Sequence, residues 1–259
     1  MTPIKQSIAY PMVKPEQMPL ADFCREVKAI GFPAIELWFR GPDFLEVVDT
    51  AKSHGLKVVS MCGHGTHSEA LSNAIHHDRV ESELRESIDL AAKHGIPGVI
   101  VLSGNRNPGQ SDIEGMVVCA QGLRRITRYA EEKKVNLNIE LLNSKVDHHW
   151  YLCDHTDWAV GLCEMVNSPR FKILYDIYHM QIMEGDIIRS MRKALPWIGH
   201  IHTAGNPGRN DLDDTQELNY RGICRALAAA GYDGYVAHEF KPKADPMEAL
   251  RAAFNQCNV

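Results

Sequence analysis

The sequence predicts an α/β protein folded as a single (β/α)8 TIM barrel over residues 1–259. Three observations carry this. Short β-rich runs alternate with segments of helical period about every 25–40 residues, and strict alternation implies a parallel sheet covered by helices. The fragments AIGFPAIEL, SHGLKVVS, KHGIPGVIV and AAGYDGYVA repeat one turn: a helix ends at glycine and a short link enters a strand. The first run is followed by YPMVKPEQ, not by a G-x-G-x-x-G nucleotide turn, and there is no Walker A sequence. A doubly wound open sheet therefore lacks support.

In chain order the strands are SIAYPMV (7–13), AIELWF (34–39), KVVSMCG (57–63), GVIVLSG (98–104), NLNIELLN (136–143), FKILYDIYHM (171–180), IGHIHTA (198–204) and GYVAHEF (234–240). Eight such units match the count of a closed barrel. The helix DRVESELRESIDLAAKHG is expected to open on Asp78 as N-cap and to close on Gly95. Asp154 is placed to cap the helix after strand five. The loop GNRNPGQ (104–110) is expected over the barrel mouth as a lid or wall. No linker, low-complexity tract or charge block interrupts the chain, which reads as one domain.

Composition narrows the function. Apolar residues make up 44% and charged residues 24%, an ordinary globular balance. A net charge of −5 argues against a binder of nucleic-acid backbones, which normally shows a basic face. Seven dispersed cysteines without a C-x-x-C pair read as reduced packing residues. No long apolar run occurs, so no membrane span is expected. A cytoplasmic location follows most simply.

Chemistry in such a barrel gathers at the C-terminal strand ends, on the inward parity of each strand. Strand five places Glu140 inward near its end, strand six Asp176, and strand eight Glu239. Strand seven offers His200 and His202 on one face. Spacing alone does not separate them, but His202 lies nearer the mouth and His200 one layer below. Buried carboxylates each need a cation or a proton. Three carboxylates and an imidazole from consecutive strands make a shell for one divalent metal ion. The oxygen-rich set favours Mg2+ or Mn2+, with Co2+ or Zn2+ also suitable. His64 in CGHGTH and Trp38 are substrate-contact candidates. Glu36 points inward on strand two and orients neighbours. DHHWY and DHTDW look metallophilic but fall in the strand-five loop and at a helix start.

The segments IELLNSKVDH, YDIYHMQ, GHIHTAGNPGR, QELNY and HEF resemble, in order and spacing, the xylose-isomerase-like TIM barrels. Within them they look most like the hydroxypyruvate isomerases. The resemblance implies that Glu140, Asp176, His202 and Glu239 are the ligands of a single metal. It implies that Glu140 and Glu239 also exchange protons on opposite sides of the substrate. His179 matches a substrate-contacting histidine, and Arg209 the arginine that grips the substrate's far end. One position departs: several hydroxypyruvate isomerases carry glutamine where this chain has His202, whereas ketose 3-epimerases carry histidine. AGNPGR and QELNY lean back towards hydroxypyruvate isomerase. Superfamily relatives often form dimers or tetramers, so a homo-oligomer is compatible.

The expected activity is an isomerase that moves a proton between the carbons of an α-hydroxycarbonyl, hydroxypyruvate to tartronate semialdehyde or a close analogue. A metal bound by the carbonyl and hydroxyl oxygens would stabilise the enediolate, and two carboxylates would serve as base and acid. The alternatives are a ketose or keto-glycoside epimerase on the same site, a non-catalytic sugar-binding barrel, and an apurinic-site endonuclease. The last would need more His and Asp ligands and a basic groove.

Overall fold

The computed structural model describes residues 3–259. In chain order its elements are β1 (Lys5–Ile8), α1 (Tyr10–Val13), α2 (Leu20–Ile30), β2 (Ala34–Glu36), α3 (Phe44–Ser53), β3 (Lys57–Ser60), α4 (His77–His94), β4 (Gly98–Val101), α5 (Asp112–Arg124), α6 (Thr127–Lys133) and β5 (Asn136–Glu140). There follow α7 (Thr156–Val166), β6 (Phe171–Asp176), α8 (Ile177–Met183), α9 (Ile187–Ala194), β7 (Ile198–Thr203), α10 (Tyr220–Ala229), β8 (Tyr235–His238) and α11 (Pro246–Cys257). Strands and helices alternate as the sequence predicts. None of the described helices is long and apolar enough to cross a membrane.

The repeated turn is one physical object. Gly31, Gly55, Gly95 and Gly231 all have φ between +73° and +121°. After each, the next N–H returns to a carbonyl five residues back: Phe32 to Val27, Leu56 to Ala51, Ile96 to Ala91, Tyr232 to Leu227. That is the bond of a Schellman helix end, which a residue with a Cβ adopts only under strain. Each of these residues is buried, supplying the apolar contact that accompanies the motif.

The chain divides into two compact units. In the unit formed by residues 3–60 and 201–259, β8 lies between β1 and the second half of β7, all parallel. Lys5 faces Tyr235, and His202 faces Ala237. β2 pairs with β3 in the same unit. In the unit of residues 61–200, β5 lies between β4 and β6, with Ile139 opposite both Val101 and Ile173. Here the Asn138 side chain fits against two glycines. A Cβ on Gly98 would stand 2.5 Å from the Asn138 Nδ2, and one on Gly199 would stand 2.5 Å from its Oδ1.

Several expectations are corrected. Residues 7–13 are not one strand: β1 ends at Ile8, and Tyr10–Val13 is a helical turn with Pro11 in its first positions. Proline is tolerated there because that N–H has no helical partner anyway. The sixth strand ends at Asp176 and does not reach 180, because the Asp176 carboxylate accepts the His179 N–H at 3.0 Å and starts α8. Most other strands also stop short of the predicted C-terminal ends. Asp78 is not an N-cap: α4 begins at His77 with His76 in the cap position, while Asp78 sits in the first turn and pairs with Arg125 at 2.6 Å. Gly95 closes that helix as expected.

Asp154 is not a cap either, since His155 precedes α7. Its buried carboxylate accepts from Arg106 at 2.9 Å and Ser144 at 2.5 Å. Arg106 also reaches Asp112 at 2.8 Å and the Tyr151 carbonyl, and Asn107 donates to the Ser72 carbonyl at 2.7 Å. The 104–110 loop is thus tied down as a wall. Arg106→Ala leaves Asp154 buried without its cation. Thermal or urea unfolding should show a loss of about 2–3 kcal/mol.

Candidate active site

Each unit brings predicted residues together. In the unit of residues 61–200, Glu140 ends β5 and Asp176 ends β6, 7% and 1% exposed. Each offers a carboxylate oxygen within 4.8 Å of the other's. Tyr151 holds the end of β5: its hydroxyl donates to the Glu140 carbonyl and accepts the Ser103 N–H, both at 3.0 Å.

His179 is fully buried on the first turn of α8. Its Nδ1 faces the Asn143 N–H at 3.1 Å and the Asn143 side-chain amide at 2.6 Å. The Asn143 carbonyl oxygen accepts from Val146 and Asp147, so its NH2 group faces the imidazole. A nitrogen that accepts carries no proton, which places the His179 proton on Nε2, 3.8 Å from Asp176. His148 stacks edge-on against His179 with centroids 5.3 Å apart. The Tyr178 hydroxyl donates to Asp147 at 2.8 Å. DHHWY therefore buttresses His179.

His64, also in this unit, accepts the Leu102 N–H on Nε2 at 2.9 Å. Burial pulls its imidazole down to about 4.

In the unit of residues 3–60 and 201–259, the residues meet around His202, which is 1% exposed. Its Nε2 lies 3.1 Å from the Glu36 carboxylate, whose other oxygen accepts the Ser7 hydroxyl at 2.8 Å. An ionised carboxylate only accepts, so Nε2 is the donor to Glu36, and Nδ1 lies 3.3 Å from Glu239. Glu239 is held on both oxygens: Trp38 Nε1 donates to Oε1 at 3.0 Å, and Arg209 pairs with Oε2. Arg209 has φ +57° and follows Gly208 at +100° in a loop fastened by the Arg209 carbonyl accepting the Lys241 N–H at 2.8 Å. His238, beside Glu239, points elsewhere. It binds Gln6 and Thr203, and burial pulls it down to about 3, so it is a neutral core residue.

These donor sets suit a hard divalent cation. Two ionised carboxylates as close and as buried as Glu140 and Asp176 repel each other, and a cation removes that cost. A neutral His202 that donates through Nε2 would present its Nδ1 lone pair to a cation beside the Glu239 carboxylate. Its Nε2–H bond to Glu36 is the carboxylate–imidazole support typical of metal-ligating histidines.

Three residues were undervalued by sequence reasoning. Asn143 fixes the His179 tautomer, Tyr151 anchors Glu140, and Glu36 orients His202. Only Glu36 carried a signal, its inward parity on strand two. Trp38, expected to contact substrate, donates its indole N–H to Glu239.

The family model for the xylose isomerase-like TIM barrel matches residues 24–257. A putative hydroxypyruvate isomerase of Homo sapiens is 27% identical over 263 residues, covering 96% of this chain and 94% of the relative. The hydroxypyruvate isomerase of Escherichia coli is 30% identical over 175 residues, 66% of this chain and 67% of the relative. Among solved structures, an AP endonuclease, family 2, from Brucella melitensis has a TM-score of 0.85 at 22% identity, covering 99% of this chain and all of the other. The 3-keto-D-glucoside 4-epimerase of E. coli has a TM-score of 0.81 at 22% identity, covering 98% of both chains. The family match over residues 24–257, the human relative matched over nearly its whole length and the E. coli relative matched over two thirds of its length make this chain a member of the xylose isomerase-like TIM-barrel family, on its hydroxypyruvate isomerase branch, and an enzyme of the isomerase class.

Proposed function

We propose that this chain is a metal-dependent isomerase of α-hydroxycarbonyl compounds, with hydroxypyruvate to tartronate semialdehyde as the first reaction to test. In this reading Glu140, Asp176, His202 and Glu239 ligate one divalent ion within a single catalytic domain. The observation that carries it is the state of Glu239. This buried carboxylate is aimed by an indole N–H on one oxygen and a guanidinium on the other, with the His202 imidazole 3.3 Å away.

When bound, a divalent ion supplies Lewis-acid stabilisation of the charge that develops on substrate oxygens. The chain's own residues do the rest. One of Glu140 and Glu239 takes the proton from the carbon beside the carbonyl, and the other delivers a proton to the neighbouring atom. Positioned acid–base groups contribute about 10²–10⁴-fold. Trp38 keeps the Glu239 oxygens in one orientation. His179, with its proton on Nε2, steadies a substrate oxygen. Arg209 leaves Glu239 for the substrate's carboxylate, which a guanidinium can grip in bidentate fashion.

A second reading, epimerisation of a ketose or keto-glycoside, uses the same groups. It is favoured by a cavity of about 260 Å³ walled by Trp38, Leu37, Phe39, Phe44, Val47 and Tyr10. That is more room than a three-carbon acid fills, since about 150 Å³ already holds benzene.

The test is metal analysis of the purified protein, followed by deuterium exchange from solvent into hydroxypyruvate, tartronate semialdehyde, common ketoses and 3-keto-glycosides. About one metal per chain, with exchange into one compound class, is the expected result. A metal-free protein that exchanges nothing under added Mg2+ or Mn2+ overturns the proposal.

A further inference from the structure

His64 has one ring nitrogen whose role nothing yet described explains. The backbone before it is fixed. Gly63 donates its N–H to the Ile100 carbonyl at 2.8 Å, and its own carbonyl accepts the Ser87 hydroxyl at 2.6 Å. A Cβ at position 63 would stand 2.7 Å from the Leu84 Cδ2 and 2.9 Å from the Ile100 oxygen, so glycine alone permits this approach. The His64 ring then takes the next N–H along β4, that of Leu102, on Nε2. The ring proton is therefore on Nδ1.

That Nδ1–H has no acceptor among the described residues, although His64 is only 3% exposed. Glu83, whose charge acts on the ring, is already committed: it accepts the Gly65 N–H at 2.8 Å and Arg79 at 3.0 Å. An unmet buried donor costs about 1–3 kcal/mol, and folded proteins retain few of them. Burial also keeps the ring from taking a second proton, down to about pH 4.

We propose that His64 is a substrate-contacting residue whose neutral imidazole donates its Nδ1–H to an oxygen of the hydroxycarbonyl substrate. The identity of the ligand rests on the isomerase reading above; the direction and tautomer of the donor do not. A neutral imidazole strengthens its hydrogen bond as negative charge gathers on that oxygen, yet is too weak an acid to hand over its proton. It polarises a carbonyl without short-circuiting transfer between the two glutamates.

Two amides separate this role from simple bracing of Leu102. His64→Asn keeps an N–H near the Nδ1 position and loses the acceptor for Leu102. His64→Gln keeps an acceptor near Nε2 and loses the donor. In deuterium exchange with hydroxypyruvate, the glutamine variant should lose about 10²-fold in kcat/KM, and the asparagine variant at most about tenfold. The opposite order, or equal losses, overturns the proposal. A measurement on the unaltered chain guards against misfolding: saturation with glycerate, an unreactive hydroxy acid, should move the His64 Nδ1–H proton resonance downfield. An unmoved resonance also overturns it. A moved resonance in a protein that exchanges no hydroxycarbonyl defeats the isomerase reading and leaves the donor assignment standing.

Discussion

Glu140→Gln and Glu239→Gln should each stop solvent deuterium from entering the substrate, with exchange rates falling about 10³-fold or more. Glutamine keeps the volume and one carbonyl oxygen but loses both the ability to hold a proton and the negative charge that would hold a metal ion. The two variants should differ in a second respect. At position 140 an amide removes one of two neighbouring buried carboxylates, which eases its repulsion with Asp176. At position 239 both oxygens accept from strong donors, Trp38 and Arg209. An amide NH2 facing either one sets donor against donor. Glu239→Gln should therefore also lower the melting temperature, whereas Glu140→Gln keeps it close to that of the unaltered chain. Full exchange in either variant would refute the two-glutamate scheme.

The fold should be acid-labile through two imidazoles. Burial holds His64 neutral down to about 4 and His238 down to about 3, whereas in the unfolded chain both titrate near 6.5. Below pH 6.5 the unfolded chain binds protons that the folded chain does not, so stability is retained above 6.5 and falls as pH drops towards the folded values. Between pH 7 and 5 each histidine costs about 2 kcal/mol, together about 4 kcal/mol. Urea unfolding midpoints at pH 7, 6 and 5 measure this. His64→Asn should remove about half of the pH-dependent loss. A flat profile across that range would show that both rings take a proton in the folded state, and half the expected slope that one of them does.

Much of the fold was legible because it rests on local rules. The four Gly-ended helices announce themselves, since a left-handed helix end and a buried residue one step later leave a readable pattern. Strand lengths were less legible. FKILYDIYHM is β-rich along its length, and nothing in its composition marks Asp176 as the point where strand turns to helix. The same holds for SIAYPMV, where β-rich composition concealed a helical turn around Pro11. Site carboxylates and histidines stood out because ionisable groups are costly on inward strand positions. Their supports did not. Asn143 and Tyr151 act through the backbone amides and carbonyls they meet, and those meetings arise only once distant loops have folded.

The four matching helix ends also have a bearing on information. A turn repeated nearly unchanged cannot tell the chain which strand should neighbour which, because every link fits every gap equally well. Discrimination has to come from side chains unique to one place. The Asn138 amide, seated where Gly98 and Gly199 leave no Cβ, is such a token. A strand presenting alanine or valine at either glycine position would collide with it. The places that receive the Asn138 side chain, one on β4 and one on β7, are thus recognised by what they lack, and two absent methyl groups act as an address label.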